Sequence, residues 1–149
     1  MSRLFVGLGS FHGDDQIGWS IAELLQEAEV VQVRSAIAPA DLLHWLDGLE
    51  ELILCDACSG QSDVGAVHRL VWQQGKGFSE VMQLRSSNSH QLSVPEVLHL
   101  AESLGKLPSK VKLYAVEVRD FGAGQPLSAE LQNVLPTILQ QLVGELTHA

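Results

Sequence analysis

The stretch "LFVGLGSFHGDDQIGWSIAELL", residues 4 to 25, decides how the chain is read. It opens as a hydrophobic strand-like run and closes as an amphipathic helix with Ile17, Ile21, Leu24 and Leu25 on one face. Between the two lie Gly7, Gly9 and Gly13 and the adjacent carboxylates Asp14 and Asp15. A strand over 3–8, a tight turn and a helix over 16–28 make a β–turn–α unit. A glycine-rich turn in this place ordinarily cradles a phosphate at the positive end of the helix, and two carboxylates oppose that use. The glycines are read as letting the backbone turn tightly, and the acidic pair as facing a cation.

Outward from this unit the same alternation continues. "VVQVRS" (30–35) and "ELILCDA" (51–57) read as strands, with a short helix over 39–48 between them, opened by Pro39 and closed by Gly48. "GAVHRLVW" (65–72) alternates as an antiparallel or edge strand does, and "QQGKG" (73–77) reads as an exposed turn. A helix over 93–105 has Ser93 as cap, Glu96 in capping-box position and Gly105 as its end. After a strand over 111–118, Ser128 caps a final helix to about residue 146, with Leu131, Leu135, Ile138 and Leu142 in its buried stripe and Pro136 as a point of kinking. The expected fold class is α/β: a single domain over 1–149, with a twisted, largely parallel or mixed five-stranded sheet flanked by helices on both faces.

A chain of 149 residues is long enough for one sizeable core and too short for two ordinary domains. The formal charge of −9 opposes attraction to nucleic acid and to anionic membrane surfaces. The first strand is too short, and too soon broken by glycine and Asp14, to act as a signal peptide or membrane span. Two cysteines, Cys55 and Cys58, exclude a disulfide framework and point to a reducing cytoplasm. As a C-x-x-C at a strand end they lack the second ligand pair of a zinc site and the helix start of a redox motif, so they read as ordinary semi-buried thiols.

Ligands of open α/β sheets bind beyond the carboxyl ends of the strands. Asp14 and Asp15 follow the first strand, Asp56 closes the third, and His90 lies in "SSNSHQLSVPE" ahead of a helix. Two carboxylates and an imidazole from three loops suit a hard or borderline cation. Asp14 reads chiefly as a cap for the first helix and Asp15 as the ligand. The residue types leave other roles open, since a strand-end aspartate also bonds loop amides and a loop histidine is a versatile hydrogen-bonding group. His12, His44, His68, His99 and His148 have no comparable setting. No G-x-S-x-G elbow, H-E-x-x-H pair or Walker loop occurs in the chain.

Three of these segments, in the same order along nearly the whole chain, resemble one family. "GLGSFHGDDQIG", "LILCDACSG" and "SSNSHQLSVPEVLHLAESLG" are similar to the signatures of the hydrogenase maturation endopeptidases, and "YAVEVRDFGAGQPLSAELQNVLPTILQQL" to their final strand and helix. The resemblance implies cleavage of a C-terminal extension from the large-subunit precursor of a nickel-iron hydrogenase after nickel delivery. It implies nickel contacts at Asp15, Asp56 and His90, with the nickel borne by the substrate and other divalent metals as substitutes. Asp15 is then the first candidate for a general base and Asp14 the second, unless nickel itself activates the water. Ser10 for the usual Asn, Gln16 for a common Gly, a shortened loop and the extra His12 depart from the pattern. The alternatives are a non-catalytic metal-dependent binding module or checkpoint chaperone for a metalloprotein precursor and, more weakly, a nucleotide-binding domain.

Overall fold

In the computed structural model, which describes residues 2–11, 13–60, 62–78, 83–84, 92–119 and 125–148, the opening strand β1 (Arg3–Leu8) is buried along almost its whole length. Its neighbours explain why: β2 (Gln32–Ala36) and β3 (Glu51–Ser59) pair with it on either side, both parallel. A strand covered on both faces and both edges has no solvent side, so it reads as a continuous apolar run rather than an alternation. The remaining strands are β4 (Val67–Gln73), β5 (Gly77–Phe78), β6 (Gln83–Leu84) and β7 (Lys110–Glu117). They are arranged β2-β1-β3-β7-β4-β5, with β6 paired to the end of β3.

The β3–β7 pair is parallel, while β4 runs antiparallel to β7. The five strands expected from sequence are β1, β2, β3, β4 and β7. The two additions, β5 and β6, are two residues each, too short to show a period-2 pattern. β6 lies antiparallel to Cys58 and Ser59, beyond the last β1–β3 pair at Gly7 and Cys55, and so continues the sheet past the end of β1.

Alternation along the central strands divides the interior into two clusters. On one face Phe5, Ile53, Cys55, Tyr114 and Val116 pack with α1 (Ile17–Ala28) and α3 (Ala129–Thr147). On the other, Val6, Leu8, Leu54, Leu70 and Leu113 pack with α2 (Val94–Ser103) and the residues around Leu42 and Leu46. The helix expected over 39–48 is a 3-10 helix, Pro39–His44. Backbone bonds from Asp41 to Ala38 and from Trp45 to Leu42, each 3.0 Å and spanning three residues, give it the tighter winding that short segments adopt. α3 runs on through Pro136. That proline forfeits one helical hydrogen bond, while Leu131, Ile138, Leu142 and Leu146 stay buried on both sides of it.

The glycines of the opening stretch act differently from expectation. Only Gly13, with φ of 55°, takes the left-handed conformation, where it opens the 3-10 turn Gly13–Gln16. Gly7 and Gly18 serve close approach: a Cβ at Gly18 would stand 2.2 Å from the Leu8 carbonyl oxygen, and one at Gly7 would stand 2.1 Å from that of Gly18. The backbones of α1 and β1 therefore touch, and this seats the acidic turn at the strand's carboxyl end.

Candidate metal-binding and catalytic site

Asp15 sits in the turn between β1 and α1 and is 2% exposed. Ser10 Oγ donates to Asp15 Oδ2 at 2.5 Å, and the Ser10 amide donates to the Asp15 carbonyl at 3.4 Å. The neighbouring backbone is pinned to β2, because the Gly9 amide (3.1 Å) and Trp19 Nε1 (2.9 Å) both donate to the Ala36 carbonyl. Ser10 entered the sequence reading only as a departure from a family pattern; here its hydroxyl orients the carboxylate of interest.

Asp14 is fully buried, and its carboxylate reaches the opposite end of the sequence. Oδ1 accepts from the Ser128 amide at 2.7 Å, and Oδ2 accepts from Ser128 Oγ at 3.0 Å and the Arg119 amide at 3.5 Å. The expected capping of α1 is therefore corrected: the cap position of that helix is Gln16, whose side chain makes no capping bond. Asp14 instead holds Ser128, the cap of α3, whose Oγ accepts from the Leu131 amide. A sequence reading confined to near neighbours could not find a partner 114 positions away. Gln16 reinforces the link, donating from Nε2 to the Gly13 and Gln125 carbonyls at 3.0 and 2.7 Å.

Asp56 lies inside β3, fully buried, with Oδ1 accepting from the Ala57 amide at 2.8 Å. The register Gly7↔Cys55 puts it level with the last residue of β1, and β3 runs on to Ser59, so Asp56 does not close the strand as expected but stands three residues before its end. By alternation it shares a face with Leu54 and Cys58, the face on which α2 packs. His90 and His12 lie outside the described residues. The described chain resumes at Leu92, and Ser93 caps α2 with the expected reciprocal pair of bonds to Glu96.

Cys55 and Cys58 are both buried, free thiols. Three positions apart on one strand, they point to opposite faces, which rules out a C-x-x-C disulfide in this conformation. Burial, reinforced by the charge of Asp56, pushes the Cys55 thiol far above its ordinary value. Burial, then Glu117 and Asp56, push Cys58 up to about 12. Neither is a thiolate nucleophile at neutral pH. His68, for which the sequence offered no special setting, has one: its Nε2 lies 3.0 Å from Glu117 Oε1, in reach of Cys58.

This arrangement of strands and helices is that of the hydrogenase maturation proteases. The chain superposes on the hydrogenase maturating endopeptidase HybD from E. coli with a TM-score of 0.76 at 21% identity, covering 99% of this chain and 93% of that one. For the [NiFe] hydrogenase maturation protease HybD of Thermococcus kodakarensis the TM-score is 0.73 at 16% identity, with 97% and 99% covered. For the endopeptidase HycI of Escherichia coli the values are 0.69 at 17%, with 97% and 90% covered. No curated protein sequence matches the chain. The HycI hydrogenase maturation protease family model matches residues 19–145, most of the sequence, and the chain belongs to that family. The matched span includes Asp56 and His90 and begins four residues after Asp15.

Proposed function

We propose that the protein is the endopeptidase that removes a C-terminal extension from the large-subunit precursor of a nickel-iron hydrogenase, and that nickel already seated in that precursor is its recognition element. The observation that carries this reading is the pair of buried acidic residues, Asp15 in the turn that follows β1 and Asp56 within the adjacent parallel strand β3, level with the last residue of β1. Carboxylates are hard oxygen donors suited to a divalent cation of borderline softness, and the hydrogen bonds from Ser10 to Asp15 and from the Ala57 amide to Asp56 hold one oxygen of each in a fixed orientation. Asp15, Asp56 and His90 would complete the coordination of the substrate's nickel, aligning only metal-loaded precursor for cleavage.

Asp15 is the group assigned to draw the proton from the attacking water, with Ser10 holding one of its oxygens in place. Asp14, bonded to Ser128 and the Arg119 amide, is assigned to positioning the turn that carries Asp15. The cytoplasm remains the proposed setting, on the cysteine usage. Incubation with nickel-loaded precursor should shorten the precursor by one C-terminal peptide in the mass spectrum and leave nickel-free precursor intact. Stable binding of an uncut, nickel-loaded precursor would instead establish a checkpoint module. Equal cutting of both forms would remove nickel from the recognition step.

A further inference from the structure

Beside Asp56, on the same face of the sheet, three strands bring together a sulfur, a nitrogen and an oxygen donor. Cys58 of β3 and Glu117 of β7 are direct register partners. His68 of β4 stands opposite Ala115, two residues before Glu117 and on the same face. Its Nε2 lies 3.0 Å from Glu117 Oε1, and one ligand atom from each of the three falls within 4.8 Å of the others. Glu117 and Cys58 are 3% and 0% exposed, and among the described residues the only ion-pair partner of Glu117 is His68. Gly60 leaves room for the carboxylate, since a Cβ there would lie 2.8 Å from Glu117 Oε1.

We propose that Cys58, His68 and Glu117 form a metal site of their own for a divalent cation of borderline softness such as zinc, cobalt or nickel, separate from Asp15, Asp56 and His90. Thiolate, imidazole and carboxylate are all ligands of such ions. Bond lengths of about 2.0 to 2.3 Å at tetrahedral angles separate ligand atoms by about 3.3 to 3.7 Å, so the cluster reaches that geometry by side-chain adjustments on the order of 1 Å. Three protein ligands leave a fourth position for water or an incoming group. His68, about a quarter exposed, supplies the way in. On binding, the Cys58 thiol loses its proton to solvent and the metal–sulfur bond replaces the S–H bond. The ligands come from adjacent strands of one sheet, which hold donors more firmly than loops do.

Cobalt(II) titration of the reduced protein tests this, read by thiolate-to-cobalt absorption in the near ultraviolet. The expected result is one cobalt per chain with a sulfur signature, unchanged in His90→Gln and Cys55→Ser, absent in Cys58→Ser, and weakened by about tenfold or more in Glu117→Gln and His68→Gln. Because no precursor is present, the outcome is independent of the proteolytic reading. No thiolate band in the reduced protein, or a band that survives Cys58→Ser, overturns the site. Should Cys58→Ser fail to fold, a cobalt affinity unaltered by both Glu117→Gln and His68→Gln overturns it equally.

Discussion

The two faces of the sheet begin alike and end differently. Beneath α1 and α3, β3 presents Ile53, Cys55 and Ala57 and β7 presents Tyr114 and Val116, apolar out to the carboxyl edge apart from a buried phenol. On the α2 side the same strands start with Leu52, Leu54 and Leu113 but finish with Asp56, Cys58 and Glu117, joined by His68 of β4. The first face is sealed by twelve- and nineteen-residue helices, the second by a ten-residue helix and a 3-10 turn. One sheet thus carries stability on one side and polar chemistry at one end of the other, as ligand binding at the carboxyl edge of parallel strands requires.

The sharpest way to break this comparison is to neutralise the polar edge without disturbing the sealed face. Asp15→Asn and His90→Gln should each lower precursor processing to below detection, with thermal unfolding within about 1 °C of the parent. His99→Gln is the control: on the exposed side of α2, packing edge-on against Trp72, it should process normally. Processing at the parental rate by His90→Gln would move the recognition chemistry elsewhere, with His12 the first place to look.

On the sealed face the largest effect should come from the smallest residue. In Gly18→Ala the added methyl would meet the Leu8 and Cys55 carbonyl oxygens at 2.2 and 2.7 Å, backbone atoms that cannot swing aside. A loss at the upper end of about 1–3 kcal/mol is expected in chemical unfolding. Because the clash pushes α1 off β1, processing should fall as well. A folded Gly18→Ala of parental stability would show that the helix–strand contact is looser than its geometry.

The two helix caps give a smaller and more direct contrast. Ser93 caps α2 at an exposed position, and Ser93→Ala should cost about 1 kcal/mol. Ser128 caps α3 and also donates to the buried Asp14, so Ser128→Ala removes the cap and takes one donor from a buried carboxylate. Its cost should exceed that of Ser93→Ala by about 1 kcal/mol or more. Equal costs would mean that Asp14 draws little from Ser128.

What the sequence revealed follows the same division. Local periodicity and capping chemistry identify α1, α2, α3 and the five long strands within a few residues, because those signals depend on near neighbours: Ser93 with Glu96, Ser128 with Leu131. Asp15 was legible as a candidate because it follows the close of an apolar run, and Asp56 because a carboxylate interrupts one, although β3 runs on through Ala57 and Cys58 to Ser59 rather than ending there. The partnership of Asp14 with Ser128 was not, and neither was the meeting of Cys58, His68 and Glu117. Both depend on strand register and chain return, which place residues 49 or 114 positions apart in contact. Ser10 and Gln16 looked like defects in a pattern, and only the folded turn shows one oriented toward Asp15 and the other tying Gly13 to Gln125.

The smallest effect tests whether charge contributes to the sealed face at all. There Arg69 of β4 meets Glu145 of α3 in a two-pronged pair, Nε and Nη2 donating to the two carboxylate oxygens at 2.6 and 2.5 Å, with the guanidinium 5.9 Å from the Tyr114 ring centroid. The hydrogen bonds from Arg69 hold the Glu145 carboxyl below the usual glutamate value. A depressed pKa in the folded state contributes stability that is present above the unfolded-state value and is lost as pH falls through the folded one. Both side chains are more than a third exposed, so solvent screening limits the contribution to about 0.5 kcal/mol. Chemical unfolding of Glu145→Gln should therefore show a gap of that size from the parent at pH 7, narrowed by molar salt and lost as pH falls through the folded-state pKa of the parent's carboxyl. A gap that is independent of pH and salt would assign the effect to something other than the charge of Glu145, leaving the α1–α3 face of the sheet stabilised by apolar contact alone.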